Sequence, residues 1–286
     1  MSNVDLVLTC LVKRSEIVCW QIFVEEGILA HKLSELSGGV KVGAKFRNRY
    51  NQTATIVSIN GYRHVEIEWD CGKRSITNSQ QLRTGAFKNP FTPLVRGVGY
   101  LGVGEFKSVV NGKRSREYEA WVAMLTRCYS EDYLAEYPTY QNHKVSEEWH
   151  NFQNFAEWYT NKSKVIPAGE VWHLDKDLMR GEDYAPDVCV LIPPRLNMLL
   201  VKNDARRAGT LIGVSYDASR GKYRARCHNG TRKAVHLGWR DSEQEAFQLY
   251  KSFKESLIKQ LAEEYKNLVS AEVYEALMKY EVKETD

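Results

Sequence analysis

Residues 171–203, VWHLDKDLMRGEDYAPDVCVLIPPRLNMLLVKN, hold an apolar run ending in His173, Leu174 and Asp175, then a turn-rich segment at 180–186 and a second apolar run at 188–192. Pro193 and Pro194 signal a helix start. Strand, loop, strand and helix in so short a stretch make a compact unit that could hold a metal between a hairpin and a helix. Asp175 falls at the end of the first strand and Asn197 one turn into the helix. A second set of residues points to another chemistry. Lys222, Arg224, Arg226 and His228 alternate with Tyr223, Ala225 and Cys227, so an extended segment there has one cationic face and one apolar face. Cationic side chains on one strand face repel one another unless an anion meets them. A ribbon of strands fits the DNA major groove, where arginine reads guanine bidentately.

The charge balance concentrates in the same region. The chain carries a formal net charge of +4, yet residues 202–240 hold ten Lys/Arg against two acids, so the remainder sums to −4. Residues 241–286 alone hold eleven acids against six lysines. One strongly basic segment is the footprint of a polyanion binder. A length of 286 residues suits two or three domains, and a hydrophobic fraction of 43% is ample for real cores. No apolar run reaches the roughly eighteen residues a membrane span needs. The start carries Asp5 early and its basic residues after the apolar run, the wrong order for a signal peptide. A cytoplasmic protein with no membrane partner is expected. The six cysteines include no CxxC pair, which favours buried thiols over a disulfide framework or a cysteine zinc site.

These chemistries need elements to position them. Residues 1–37 admit two readings: a helix over 15–37, with Trp20, Ile22, Phe23, Ile28, Leu29, Leu33 and Leu36 apolar, or a β-rich start at 4–12 that pairs with a later strand. Residues 38–90 alternate in short runs. Val65, Ile67 and Trp69 share a face opposite Glu66 and Glu68, and a connection at 60–64 makes a hairpin with 55–59. About four strands predict a small SH3-like β-barrel. Residues 91–115 read as a Gly/Pro linker. Its Gly97, Gly99 and Gly102 match GxGxxG, but prolines precede them and no helix follows at once, so a flexible glycine loop is expected rather than a dinucleotide site.

Two amphipathic helices follow, one with Tyr118, Trp121, Leu125 and Cys128 on a stripe, the other with Trp149, Phe152, Phe155, Trp158 and Tyr159. They form the wall behind the 171–203 unit. Strands at 211–216, 222–228 and 233–239, with turns at 219–221 and Asn229–Gly230, predict a three-stranded sheet. A helix capped by Asp241 or Ser242 packs on its apolar back through Ala246, Leu249, Tyr250, Phe253 and Leu257. An acidic helix over 271–280 ends the chain.

Two blocks of residues then resemble known families. GVSYDASRGKYRARCHNG…AVHLGWRDSEQEAFQLY is similar to the Apetala-type DNA-binding domain through Gly213–Val214, Tyr223, Ala225, Leu237–Gly238, Glu245–Ala246 and Tyr250. That resemblance implies a three-stranded sheet on one helix that reads the major groove. It places Arg224, Arg226, His228 and His236 on the DNA face, with Arg220, Lys222, Arg232 and Lys233 beside them. The preceding block, EAWVAMLTRCYS…YPTY…VSEEWHNFQNFAEWY…LDKDL…YAPDVCVLIPPRLNMLL, resembles phage HNH-type proteins. The order of the two blocks resembles that of phage mobile endonucleases. The resemblance implies one divalent metal, Mg²⁺ or Mn²⁺, held by Asp175 and Asn197. Where the family places its general-base His, this chain has Lys176; His173, on the same strand face as Asp175, and Asp177 are the substitutes.

The expected whole is an α+β multidomain protein. Its parts are an N-terminal segment (1–37), the SH3-like barrel (38–90), a linker (91–115), an HNH-like ββα-metal core flanked by helices (116–205), the Apetala-type domain (209–266) and an acidic tail (267–286). The expected function is metal-dependent cleavage of double-stranded DNA, in the host cytoplasm if phage-encoded. The alternatives are a catalytically degenerate HNH scaffold that binds DNA to regulate, or a phage protein acting on a host protein through the barrel. A homodimer is left open.

Overall fold

A computed structural model describes residues 20–25, 28–33, 35–36, 38–200, 209–231 and 234–284. The architecture is α+β with several small sheets, and the chain divides into two compact units, Met1–Thr92 with Tyr100–Val103, and Pro93–Gly99 with Gly104–Asp286.

In the first unit, β1 (Trp20–Glu25) pairs with β2 (Ile28–Leu33), and β3 (Glu35–Leu36) with β4 (Val40–Lys41). Strands β5 (Lys45–Arg47), β6 (Thr53–Ile59), β7 (Val65–Trp69) and β8 (Arg74–Thr77) complete a sheet of order β1-β2-β6-β7-β8, with β5 also on β6. Val65, Ile67 and Trp69 are buried against Ile56, Ile59, Leu82 and Phe87, as alternation requires. Two expectations fail here. The helix expected over 15–37 is replaced, wherever that stretch is described, by antiparallel strands. The run is rich in β-branched and aromatic residues. The barrel does not close: β1 and β8 lie at opposite ends of an open sheet. After β8 the chain enters helix α1 (Ser79–Thr84), capped by Asn78, rather than returning to β1. The 4–12 strand reading lies outside the described residues.

In the second unit, β9 (Val109–Val110) pairs with β10 (Lys113–Arg114), and α2 (Arg116–Tyr129) starts at Ser115, whose side chain accepts from the Tyr118 N–H. Helix α3 (Glu131–Glu136) follows, then α4 (Phe152–Ser163), capped by Asn151. Trp121, Leu125, Trp149, Phe152 and Phe155 are fully buried, and Trp121 Nε1 donates to the Trp149 carbonyl at 2.7 Å. The glycine loop is hydrogen-bonded at one end. Val95 and Gly99 exchange backbone hydrogen bonds, and a Cβ at Gly99 would fall 2.4 Å from Leu125. Gly99 is small because it sits on the α2 stripe.

Behind this wall β11 (His173–Asp175) pairs antiparallel with β12 (Val190–Ile192), and α5 (Pro194–Leu200) follows. The sheet β13 (Val214–Asp217), β14 (Lys222–His228) and β15 (Ala234–Arg240) packs on α6 (Glu243–Tyr265), whose Ser242–Glu245 capping box is complete. Ala246, Phe247 and Tyr250 from the first half of α6 cover Val214, Ala225 and Cys227. Ile258, Leu261 and Ala262 from its second half pack on Leu196, Leu199 and Leu200 of α5, joined by α7 (Ala271–Met278). No described helix is long and apolar enough to cross a membrane.

Candidate metal centre and nucleic-acid interface

The β11–β12 hairpin aligns His173 with Ile192 and Asp175 with Val190, so His173 and Asp175 share one face. Burial of Leu196, Leu199 and Leu200 turns the other side of α5 toward that face. Asn197 Nδ2 thereby stands 3.0 Å from His173 Nδ1. Asp175 Oδ1 accepts from the Leu178 N–H at 2.8 Å. Burial pushes the Asp175 carboxyl above the usual carboxylate range, and the Asp177 charge adds to this, while the Leu178 and Asp177 N–H groups and Lys176 oppose it. A cation would relieve that desolvated charge. Burial, and then the Arg127 guanidinium, pull the His173 imidazole below its ordinary value, which favours the neutral ring at pH 7.

Lys176 and Asp177 are placed differently. The Lys176 side chain is 3% exposed, and its Nζ donates to Asp177 Oδ1 at 2.6 Å and lies 5.8 Å over the Tyr184 ring. An ammonium committed to an ion pair is poorly placed to take a proton from water, and Asp177 spends one oxygen on it. His173 is exposed, as Asp177 is, and keeps one ring nitrogen outside the Asn197 contact.

The Asn197–His173 contact links two roles. With Nδ2 toward Nδ1, the imidazole proton sits on Nε2 and Asn197 Oδ1 is free for a cation. With the amide reversed, Oδ1 accepts from Nδ1–H and Nε2 holds the lone pair of a base. In that second orientation Oδ1 keeps a second lone pair, so Asn197 as a metal ligand and His173 as a base are compatible. Among the described residues no group of three or more His, Cys, Asp and Glu side chains could hold a metal. The donors near Asp175 fit only an open site for a hard cation that keeps several waters.

On the three-stranded sheet, Ala225 and Cys227 are buried while Arg226 and His228 are exposed. Arg224 pairs across the sheet with Trp239 and Arg226 with His236. Leu237 is skipped in that register and Gly238 has φ +139°, so a bulge returns Trp239 to the face that holds His236. The two rings lie 5.4 Å apart, and the guanidinium groups of Arg220 and Arg224 lie 5.1 and 5.7 Å from the Trp239 ring. At one end of the sheet acids intervene: Lys222 pairs with Asp241 at 3.1 Å and Arg220 approaches Asp217 at 3.8 Å. Among the described residues Arg224, Arg226, His228 and His236 make no ion pair, and Arg224 Nε is buried without a hydrogen-bond partner. Arg232 and Lys233 lie outside the described residues.

Sequence reasoning missed Trp239 because strict alternation puts residues three apart on opposite faces. It missed Arg127 because that residue lies far from the hairpin in the chain, although it stands in the quoted Arg-Cys motif. The chain matches no protein-family profile, no curated protein and no solved structure.

Proposed function

We propose that the chain is a DNA-binding protein that cleaves phosphodiester bonds with a divalent cation at Asp175, on an HNH-like hairpin and helix beside an Apetala-type sheet. The observation that carries this reading is the meeting of His173, Asp175 and Asn197 in one compact unit with a cationic sheet free of carboxylates on its central strand. The sheet supplies affinity through Arg224, Arg226 and His236, and Trp239 holds the arginine planes. A bound cation would neutralise charge on the phosphate and lower the pKa of a coordinated water. Asp175 is the residue to hold it. His173 moves the proton, with Asn197 Oδ1 fixing its ring through Nδ1–H and leaving Nε2 as the base.

The test compares the full chain with Asp175→Asn on duplex DNA in Mg²⁺ and in Mn²⁺. Asparagine keeps the acceptor for the Leu178 N–H and removes the charge. Cleavage falls by at least the roughly 10- to 100-fold that losing even an outer partner of a metal ligand costs, and DNA affinity is unchanged. The departure of Lys176 from the family pattern and its ion pair with Asp177 favour a second reading, a scaffold that binds DNA without cutting it. Wild-type binding with no cleavage in either metal decides for that reading.

A further inference from the structure

Arg127 stands in the last turn of α2, half-buried, with Nη1 donating to Tyr184 Oη at 3.2 Å. Among the described residues it has no carboxylate partner. A guanidinium offers five N–H donors in a planar fork, so one phenol leaves most of the fork without a protein acceptor. Tyr184 is buried, and Lys176 Nζ, on the residue next to Asp175, lies 5.8 Å from its ring. The contacts therefore run from Arg127 through Tyr184 to the β11 end. Tyr140 also feels the Arg127 charge and stacks edge-on against Tyr133, with ring centroids 5.7 Å apart. Burial pushes the Tyr184 and Tyr140 hydroxyls up, so both remain neutral O–H donors at pH 7. The result is a cation among phenols, without a carboxylate partner among the described residues, close enough to His173 for its charge to pull that imidazole down.

We propose that Arg127, aimed by Tyr184, binds the phosphate of a DNA phosphodiester beside His173. A planar fork suits two phosphate oxygens at once, and a half-buried cation is worth more to an anion than an exposed one. The proposal rests on the nuclease reading for its view of the bound phosphate as the one being cut. A structural role, with Arg127 serving only to hold Tyr184, would need no ligand.

The experiment uses the full chain carrying Arg224→Ala and Arg226→Ala, which silences the sheet, with arginine side chains labelled with ¹⁵N. The Arg127 Nε signal is the one lost in Arg127→Lys. It shifts saturably with the dinucleotide TpT, and much less with inorganic phosphate at equal concentration. Tyr184→Phe keeps the ring and weakens that response. No shift with TpT overturns the proposal, and an equal response to free phosphate overturns its assignment to a diester. On duplex DNA with the sheet intact, Arg127→Lys lowers kcat roughly 100-fold and leaves KM within about twofold. An unchanged kcat also overturns it. If the wild type cuts nothing, the nuclease reading falls while the TpT titration still decides the subsite. If Arg127→Lys loses its thermal transition, Tyr184→Phe carries the kinetic comparison, with about a tenfold loss expected.

Discussion

Arg224 and Arg226 differ from Lys222 and Arg220 in that, among the described residues, no carboxylate pairs with them. A phosphate contact by an unpaired arginine releases condensed counterions from DNA, whereas a paired cation must first give up its partner. Arg224→Ala and Arg226→Ala should each flatten the log–log salt dependence of DNA binding by about one, with a smaller change for Lys222→Ala. Anisotropy titrations over a range of NaCl concentrations measure this; an unchanged slope for both arginines removes the sheet as the DNA face. The cysteines make a separate prediction. Burial pushes Cys189 up to about 12 and Cys128 and Cys227 up to about 11, while Cys71 is exposed. A thiol pKa raised above the working pH means little thiolate, and thiolate is the nucleophile. At pH 8 iodoacetamide should modify Cys71 in the native protein and the three buried thiols only after unfolding, read by peptide mass spectrometry.

Helix α6 carries the element-scale argument. Its first half is the back of the three-stranded sheet and its second half is part of the α5 core. Arg195 Nη1 donates to Glu264 at 3.0 and 3.3 Å, and the Tyr265 ring meets Trp172, the residue before β11, at 5.9 Å. One continuous helix therefore ties the basic sheet to the candidate centre. Leu261 is fully buried in that second half, so Leu261→Ala should cost roughly 2–5 kcal/mol in urea unfolding. Equal destabilisation of the sheet and of the Trp172 region is expected; independent melting would mean the helix does not couple them. Gly213 makes the opposite kind of contact. Its φ is +77°, and an added Cβ would fall 2.1 Å from the Tyr250 ring, so Gly213→Ala should be strongly destabilising.

At the scale of the whole molecule, the two units have separate cores. The cationic sheet and the hairpin belong to the second, so a chain of residues 93–286 should keep DNA affinity within about twofold of the full protein, and any cleavage with it. A large loss, measured on the same duplex, would assign part of the DNA contact to the first unit. The first unit exposes Glu66 and Glu68 with Arg74 between them, a mixed-sign face rather than a basic one.

Local patterns settled much of this from the sequence alone. Alternation placed Val65, Ile67 and Trp69 inside and the arginines of β14 outside, because a strand's side chains switch faces at every residue. The α2 and α4 stripes, the cap at Ser242, and the hairpin–helix unit around Asp175 were legible for the same local reasons. Contacts between residues distant in the chain were decided only by the tertiary structure. Whether β1 and β8 meet depends on where the chain goes after β8. Trp239 joins the basic face through a bulge that alternation does not register. Lys176 and Arg127 take opposite parts because burial holds Lys176 against its neighbour Asp177, whereas Arg127, among the described residues, reaches across the chain to the Tyr184 phenol. Residue type and spacing pointed to a candidate metal site and a candidate polyanion site, but partner choice in three dimensions determines which side chains are free to act.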